Sequence, residues 1–374
     1  MKNFVVKFVL FSIPIAFLFL FTTFFYATDK GDLIRVGYLI EKMNYRDIFE
    51  KELNQPILFS KVSEINTNRP QNFTALTIGD SFSEQFGFGY KNYLAQNNIS
   101  VLHLDRFLSG NPIQTAHGIL NGDFLKKIKV DYIILQSVER DIVARGQKCK
   151  MDTLISLNSI NQVVKEYNTK LKEATIKNKS KQLELKSYFR NSIKTIKLDD
   201  FSANRLIKFP LQNINYCFDD NAYDSETYKV KTKRELFSVS HNELLFLSSD
   251  LNGVKENNNQ KSVSKLNQVL NSLSEKCEQK RIALIVLPSP DKFDFYYDEL
   301  AEKQKYPRPL FFEHFEKMTK SYSYINSKKL LQEKLKGKND IYFYDDTHWS
   351  PWASKVLATE LQKIISKKEI PTIN

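Results

Sequence analysis

A chain of 374 residues with 42% hydrophobic and 26% charged side chains can build one large core or two modest ones, which excludes a disordered protein. Its 55 Lys and Arg against 43 Asp and Glu leave a formal charge of +12. That excess suits an anionic partner such as a membrane surface or an acidic polysaccharide, and equally a solvated Lys-rich surface. No nucleic-acid motif accompanies it, so no nucleic-acid partner is expected.

In chain order, Lys2 and Lys7 lead into an uncharged run from Phe8 to Ala27, at about 20 residues long enough to cross a bilayer core. A cleaved signal peptide has an apolar core of only about 7–15 residues and ends at small residues. Phe25-Tyr26-Ala27 is a poor cleavage site, and no Cys follows for lipid attachment. Residues 1–28 therefore read as a single-pass inner-membrane anchor with Lys2 and Lys7 on the cytoplasmic side and the rest of the chain periplasmic. A cleaved signal peptide is the alternative, and it exports the same globular part. In that oxidising compartment Cys149 and Cys217 are the candidate disulfide pair, with Cys277 in the core. The spacing of the three shows no metal pattern, and neither a metal nor a cofactor is expected.

Residues 29–71 form a juxtamembrane segment that lifts the domain off the bilayer. Phe73–Ile78 reads as a buried strand running into Gly79-Asp80-Ser81-Phe82-Ser83, followed by a helix to about Ala95. Ser100–Leu104 is the next strand, Gly110-Asn111-Pro112 a turn opening a helix, and Tyr132–Leu135 a third strand. Residues 150–259 change character, with helical spacing at Leu154, Leu157, Val164, Tyr167 and Leu171, and read as a mostly helical insertion, a lid or a partner-binding unit. Order returns over 260–374. Val263, Leu266, Leu270, Leu273 and Cys277 mark one face of a helix. Ile282–Leu287 is a strand ending in Pro288-Ser289-Pro290-Asp291-Lys292. Ile341–Tyr344 is a last strand, delivering Asp345-Asp346-Thr347-His348-Trp349 before a helix opened by Pro351. Strands alternating with helices predict an α/β fold, split into 72–149 and 260–374, with the motifs converging at the strands' carboxyl ends.

Those motifs supply the groups of acyl transfer. Ser81 is a candidate nucleophile, activated by a base that removes its proton. His348 is the candidate base, and Asp346 or Asp345 the carboxylate that fixes its tautomer. Amides at the start of a helix after Ser81 would stabilise an oxyanion. The other histidines, His103, His117, His241 and His314, read as surface or core groups.

Gly79-Asp80-Ser81-Phe82-Ser83 resembles the first block of the SGNH (GDSL-type) hydrolase superfamily. Asp346-Thr347-His348-Trp349 resembles the Asp-x-His-Trp motif of its alginate O-acetyltransferase-like branch, as do the strands leading into Glu139-Arg140 and into Pro-x-Pro-Asp-Lys at 288–292. The resemblance covers about 73–145 and 262–365. It implies a three-layer, flavodoxin-like parallel sheet flanked by helices, with Ser81 as nucleophile, His348 as base and Asp346 as its partner, Asp345 remaining the alternative. It also implies oxyanion donors at Ser81 and Gly110. The Asn of the superfamily's third block has no counterpart; its place falls near Val138. The serine here precedes the Asp-x-His motif, the reverse of the alginate branch. Glu139 and Arg140 are read as an ion pair beside the site, Lys292 as a contact for an acidic sugar, and Trp349 as packing beside His348.

The expectation is a membrane-anchored O-acetyltransferase acting on a cell-surface polysaccharide. The resemblance implies an acetyl donor supplied by a membrane-bound O-acyltransferase. A carbohydrate esterase and a catalytically silent glycan-binding protein are the alternatives.

Overall fold

The structure is a computed structural model that describes residues 2–25, 32–33, 46–67, 69–186, 214–222, 225–239 and 242–367, with side chains omitted at 19–25 and 174–186. His241 lies outside the described residues, as do 34–45 of the juxtamembrane segment and 187–213 of the insertion.

Six strands form one sheet: β1 (Ser60–Lys61), β2 (Gln71–Ile78), β3 (Val101–Leu104), β4 (Ile128–Val138), β7 (Ala283–Ser289) and β8 (Ser323–Tyr324). Their order is β1-β3-β2-β4-β7-β8, and every pairing is parallel. The central register sets Ile78 opposite Leu135 and Val138 opposite Ser289. These strands are apolar on both faces because helices cover both. The described helices begin with α1 (Lys2–Phe25), α2 (Tyr90–Gln96), α3 (Pro112–Asn121), α4 (Glu139–Gln147) and α5 (Leu157–Lys186). After the antiparallel pair β5 (Thr227–Lys231) and β6 (Glu243–Leu247) come α6 (Ser248–Asn257), α7 (Gln260–Gln279) and α8 (Pro351–Ser366).

Alternation along each strand divides the core in two. Ile134, Ile285 and Leu287 pack with Leu94 of α2 and Leu357 and Leu361 of α8. Ile133, Leu135, Leu284 and Val286 pack with Ile113 of α3, Ile142 of α4 and Leu266 and Leu270 of α7. Helix entry is set locally. Asn111 caps α3 by accepting from Ile113 N and Gln114 N, with Pro112 at its first position, and Asn259 caps α7 in the same way. The α2 helix, after β2, lies on one face, while α4, after the neighbouring β4, lies on the other. Their loops part at the carboxyl ends and leave a crevice there, the usual ligand position of such sheets.

The three-layer α/β architecture is therefore as expected, with four differences. Ile341–Tyr344 is not a strand. All four side chains are buried, the segment forms only an isolated antiparallel bridge between Tyr342 and Trp349, and the carbonyls of Phe343 and Tyr344 accept from Lys292 Nζ. Second, the end of the expected insertion belongs to the main core: Val230, Phe237, Leu244, Phe246 and Val254 join the cluster that contains Ile134 and Leu287. Third, among the described residues the expected Cys149–Cys217 disulfide is not formed; Cys277 is buried as expected. Fourth, the N-terminal helix forms and exposes Phe4, Phe8, Leu10, Phe11, Ile13 and Phe17, yet among the described residues no helix is long and apolar enough to cross a membrane.

Candidate active site

The nucleophile loop follows β2. A Cβ on Gly79 would collide with Ser83 Oγ and the Gln136 side-chain oxygen, so only glycine lets the loop lie this close to β4. Asp80 fastens the loop to that strand. Its Oδ2 accepts from Val138 N at 2.7 Å and from Arg145 Nη1 at 2.5 Å, and its Oδ1 accepts from Phe82 N at 3.2 Å. Burial raises the Asp80 pKa, but the Arg145 charge and these bonds outweigh it and hold the carboxyl below its ordinary value. Gln136 adds a second tie, accepting from Asp80 N at 3.0 Å and Ser83 Oγ at 2.9 Å and donating to Ser289 Oγ at 2.9 Å. Ser81 thus sits on a braced turn. Among the described residues neither its Oγ nor its N–H makes a hydrogen bond.

The expected helix after Ser81 is displaced, since α2 begins only at Tyr90. Gly87 and Gly89 carry the intervening chain against Gln55 and Gln85, where any Cβ would strike backbone oxygen. A helix N-terminus therefore does not supply the oxyanion hole. The Ser81 and Gly110 amides remain: Gly110 is exposed, with open space around it, and its N–H is unused among the described residues. Val138 cannot replace the missing Asn. Its side chain lies in the core at 2% exposure, and its N–H is committed to Asp80.

The base loop comes from the other end of the chain. His348 Nδ1 lies 2.5 Å from Asp346 Oδ1, which also accepts His348 N at 3.0 Å. This assigns the proton to Nδ1 and leaves Nε2 as the base. Nε2 is buried without a hydrogen-bond partner. Burial raises the Asp346 pKa, yet His348 and Arg46 bring it well below the ordinary carboxylate range, so Asp346 stays ionised. Asp345 instead accepts from Arg46, at 3.0 Å from Nε and 2.8 Å from Nη2. Of the two candidates, Asp346 is the partner of His348.

The two loops meet through Phe82 and Gln85. The Phe82 ring lies 4.6 Å from the His348 ring and 4.9 Å from Trp349. Gln85 Nε2 donates to Trp349 O at 2.8 Å, and Trp349 Nε1 donates to Gln85 Oε1 at 2.8 Å. Trp349 is fully buried and sets the loop's position, as expected of it. These neighbours seat the Ser81 loop against the His348 loop, with no hydrogen bond between Ser81 Oγ and His348 Nε2. A catalytic bond of this kind is often long before substrate binds.

Three expectations change. Glu139 and Arg140 do not pair. Arg140 bonds Asp291 at 2.6 Å and Asp250 at 3.1 Å, while Glu139, at 2% exposure, accepts from Asp291 N. Burial, with Asp294 and Asp291 close by, pushes the Glu139 pKa well up. Both residues brace the loop after β7 from inside the fold, out of a substrate's reach. Lys292 is likewise buried, not a sugar contact. Its Nζ donates to Phe343 O at 2.7 Å, Tyr344 O at 2.9 Å and Asp346 O at 3.3 Å. Finally, the sequence reading missed Asp80 as a brace, Gln85, Gln136, Arg145 and Arg46. Gln85 stands two residues beyond the serine motif, but no spacing marks it or the others.

Asp32, Asp346 and His348 offer ligand-type atoms within 4.8 Å of one another. Asp346 is already bonded to His348 through Oδ1 and to Arg46 through Oδ2, so the cluster reads as a charge-balanced catalytic group, not a metal centre. His103 is a satisfied core group, bonded to Thr77 and Glu84.

The matching family model is described as an SGNH hydrolase-like domain of the acetyltransferase AlgX, and it covers residues 240–374. That span holds β7, Lys292, Asp346, His348 and Trp349 but not Ser81. Neither a curated protein nor a solved structure matches the chain. The base loop thus lies inside a span similar to the SGNH hydrolase-like domain of AlgX, and the nucleophile loop, outside that span, is seated against it.

Proposed function

We propose that the protein is a serine-dependent O-acetyltransferase acting on an exported or cell-surface polysaccharide. The carrying observation is the Asp346–His348 pair, its unbonded Nε2 buried beside the loop that presents Ser81. His348 Nε2 takes the Ser81 Oγ proton as Oγ attacks the acetyl carbonyl. The Ser81 and Gly110 amides hold the oxyanion, and the proton passes from His348 to the leaving group. A sugar hydroxyl then gives its proton to His348 as its oxygen attacks the acetyl-serine, and the bond to Ser81 Oγ breaks as His348 returns that proton to Oγ, releasing the acetylated sugar.

The acetyltransferase description of the matching family supports acetyl transfer. The apolar exposed side chains of α1, with no polar face, support membrane attachment and a periplasmic domain. A membrane-bound O-acyltransferase would pass the acetyl group outward to Ser81. The second reading, a carbohydrate esterase, draws on the exposure of Gly110, which leaves the oxyanion side open to water.

Incubation of the full chain with a chromogenic acetyl ester and an oligosaccharide tests both. Acetylated sugar formed by wild type and abolished in Ser81→Ala is the expected result. Free acetate alone establishes the esterase. Turnover undiminished in Ser81→Ala overturns both, and no turnover by either form points to a silent glycan-binding protein.

A further inference from the structure

The segment before β1 reaches the site from the far end of the chain. Two described pieces of it, Asp32–Leu33 and the stretch beginning at Arg46, lie on the loop that carries Asp346 and His348. Leu33 is fully buried, and its N–H donates to Asp345 O at 3.0 Å. Phe49 packs edge-on against Phe343 at 5.4 Å and against Trp352 at 5.0 Å. Arg46 lies between them. Its guanidinium stands 4.5 Å over the Phe343 ring, bonds Asp345 through Nε and Nη2, and reaches Asp346 Oδ2 with Nη2 at 3.2 Å.

We propose that Arg46 is a positioning residue for the catalytic carboxylate, so that the stretch beginning at Arg46 contributes to the active site. The inference rests on Asp346–His348 being the catalytic pair. Asp346 Oδ1 serves both His348 Nδ1 and His348 N, and Oδ2 bonds Arg46. With both oxygens held, the carboxylate cannot turn out of the imidazole plane, and His348 keeps the tautomer that leaves Nε2 basic.

Charge points the same way. Asp32, Asp345 and Asp346 stand around one imidazole, the first of them within 4.8 Å of both Asp346 and His348. Among the described residues Lys292 also faces this cluster, but its Nζ is bonded to backbone carbonyls. Arg46 is in direct contact with Asp345 and Asp346. Its positive charge opposes proton uptake by the Asp346–His348 pair, which must be unprotonated on His348 to act as base.

A positioning role and a merely structural one separate in the pH–rate profile. In the full chain assayed on an acetyl ester, Arg46→Gln is expected to lower kcat about 10- to 100-fold, with little change in KM. The acid limb of the profile should move to higher pH by about half a unit or more. Wild-type kcat with an unshifted limb overturns the proposal, and so does a uniform loss with an unshifted limb, which a structural staple would give. Arg46→Lys keeps the charge but loses the rigid guanidinium fork that spans Asp345 and Asp346 while stacking on Phe343, so several-fold lower kcat is expected. If Arg46→Gln does not fold, wild-type kcat in Arg46→Lys overturns the proposal. Ser81→Ala runs beside them. Its inactivity upholds the catalytic reading whatever Arg46 does, while its full activity removes that reading and the present inference with it.

Discussion

Lys292→Met separates the stabilising and catalytic consequences of one buried amine. Burial is the largest influence on Lys292 and lowers its pKa. The charges of Asp345, Asp346 and Asp250 partly oppose this, and the value settles at about 7. The unfolded chain holds its lysine proton to about pH 10.4. Between about pH 7 and pH 10 the unfolded state therefore binds more protons than the folded one, and stability rises with pH. Below about pH 7 both states are protonated and this lysine adds no further pH dependence. At about 1.36 kcal/mol per unit, Lys292 contributes a rise of about 1.5 kcal/mol between about pH 7 and pH 8.5.

Lys91, buried and bonded to Ser83 O in the nucleophile loop, is also lowered by burial to about 7. Lys91 adds a rise of the same sign, while buried Glu139 and Asp291, whose pKa values burial raises, oppose both; Lys292→Met should therefore climb less than wild type by about 1.5 kcal/mol over this window. Denaturant unfolding of the full chain across this window reads the slope, which is independent of how far the substitution lowers stability overall. The mutation also removes the donor from three carbonyls of the loop that carries Asp346, and kcat should fall by about tenfold or more. Superimposable slopes for wild type and mutant would refute the argument, because they would show that Lys292 does not release a proton on folding near neutrality.

Asp346→Asn should cut kcat by about 10³–10⁴, because the imidazole loses the acceptor that fixes its tautomer. Asp345→Asn, which touches Arg46 and not His348, should cost far less, and steady-state rates in the opposite order would transfer the catalytic role to Asp345. Trp349→Phe keeps the ring against Phe82 but removes the indole bond to Gln85, for a loss of about 1 kcal/mol. An unchanged melting temperature would show that the bond does not join the two loops.

Much of the scaffold was legible because local signals and burial agree. Apolar runs at 73–78, 100–104, 132–135 and 282–287 became parallel strands, and the Val263–Cys277 stripe became α7, because helices on both faces bury them. Where those signals parted from tertiary context, the reading failed. Ile341–Tyr344 has strand-forming residues, yet it doubles back on its own loop through a single bridge to Trp349, and a buried lysine takes the carbonyls of Phe343 and Tyr344. Glu139-Arg140 looked like a pair because the two are adjacent. On a helix, however, successive residues point apart, and each found its own carboxylate or amide partner.

The serine and histidine motifs were visible in the chain itself, since each requires particular residue types next to one another. Their union was not. Gly79 packs against Gln136, Gln85 bonds Trp349, Arg46 bonds Asp345 and Asp346, and Lys292 holds the Asp346 loop, all across tens to hundreds of positions of sequence. No periodicity encodes contacts of that kind. Sequence alone determined which side chains were available for acyl transfer and the α/β scaffold that would carry them. Tertiary structure alone decided between Asp345 and Asp346, because two adjacent carboxylates are chemically alike: Arg46 bonds both, and only Asp346 has the histidine before it.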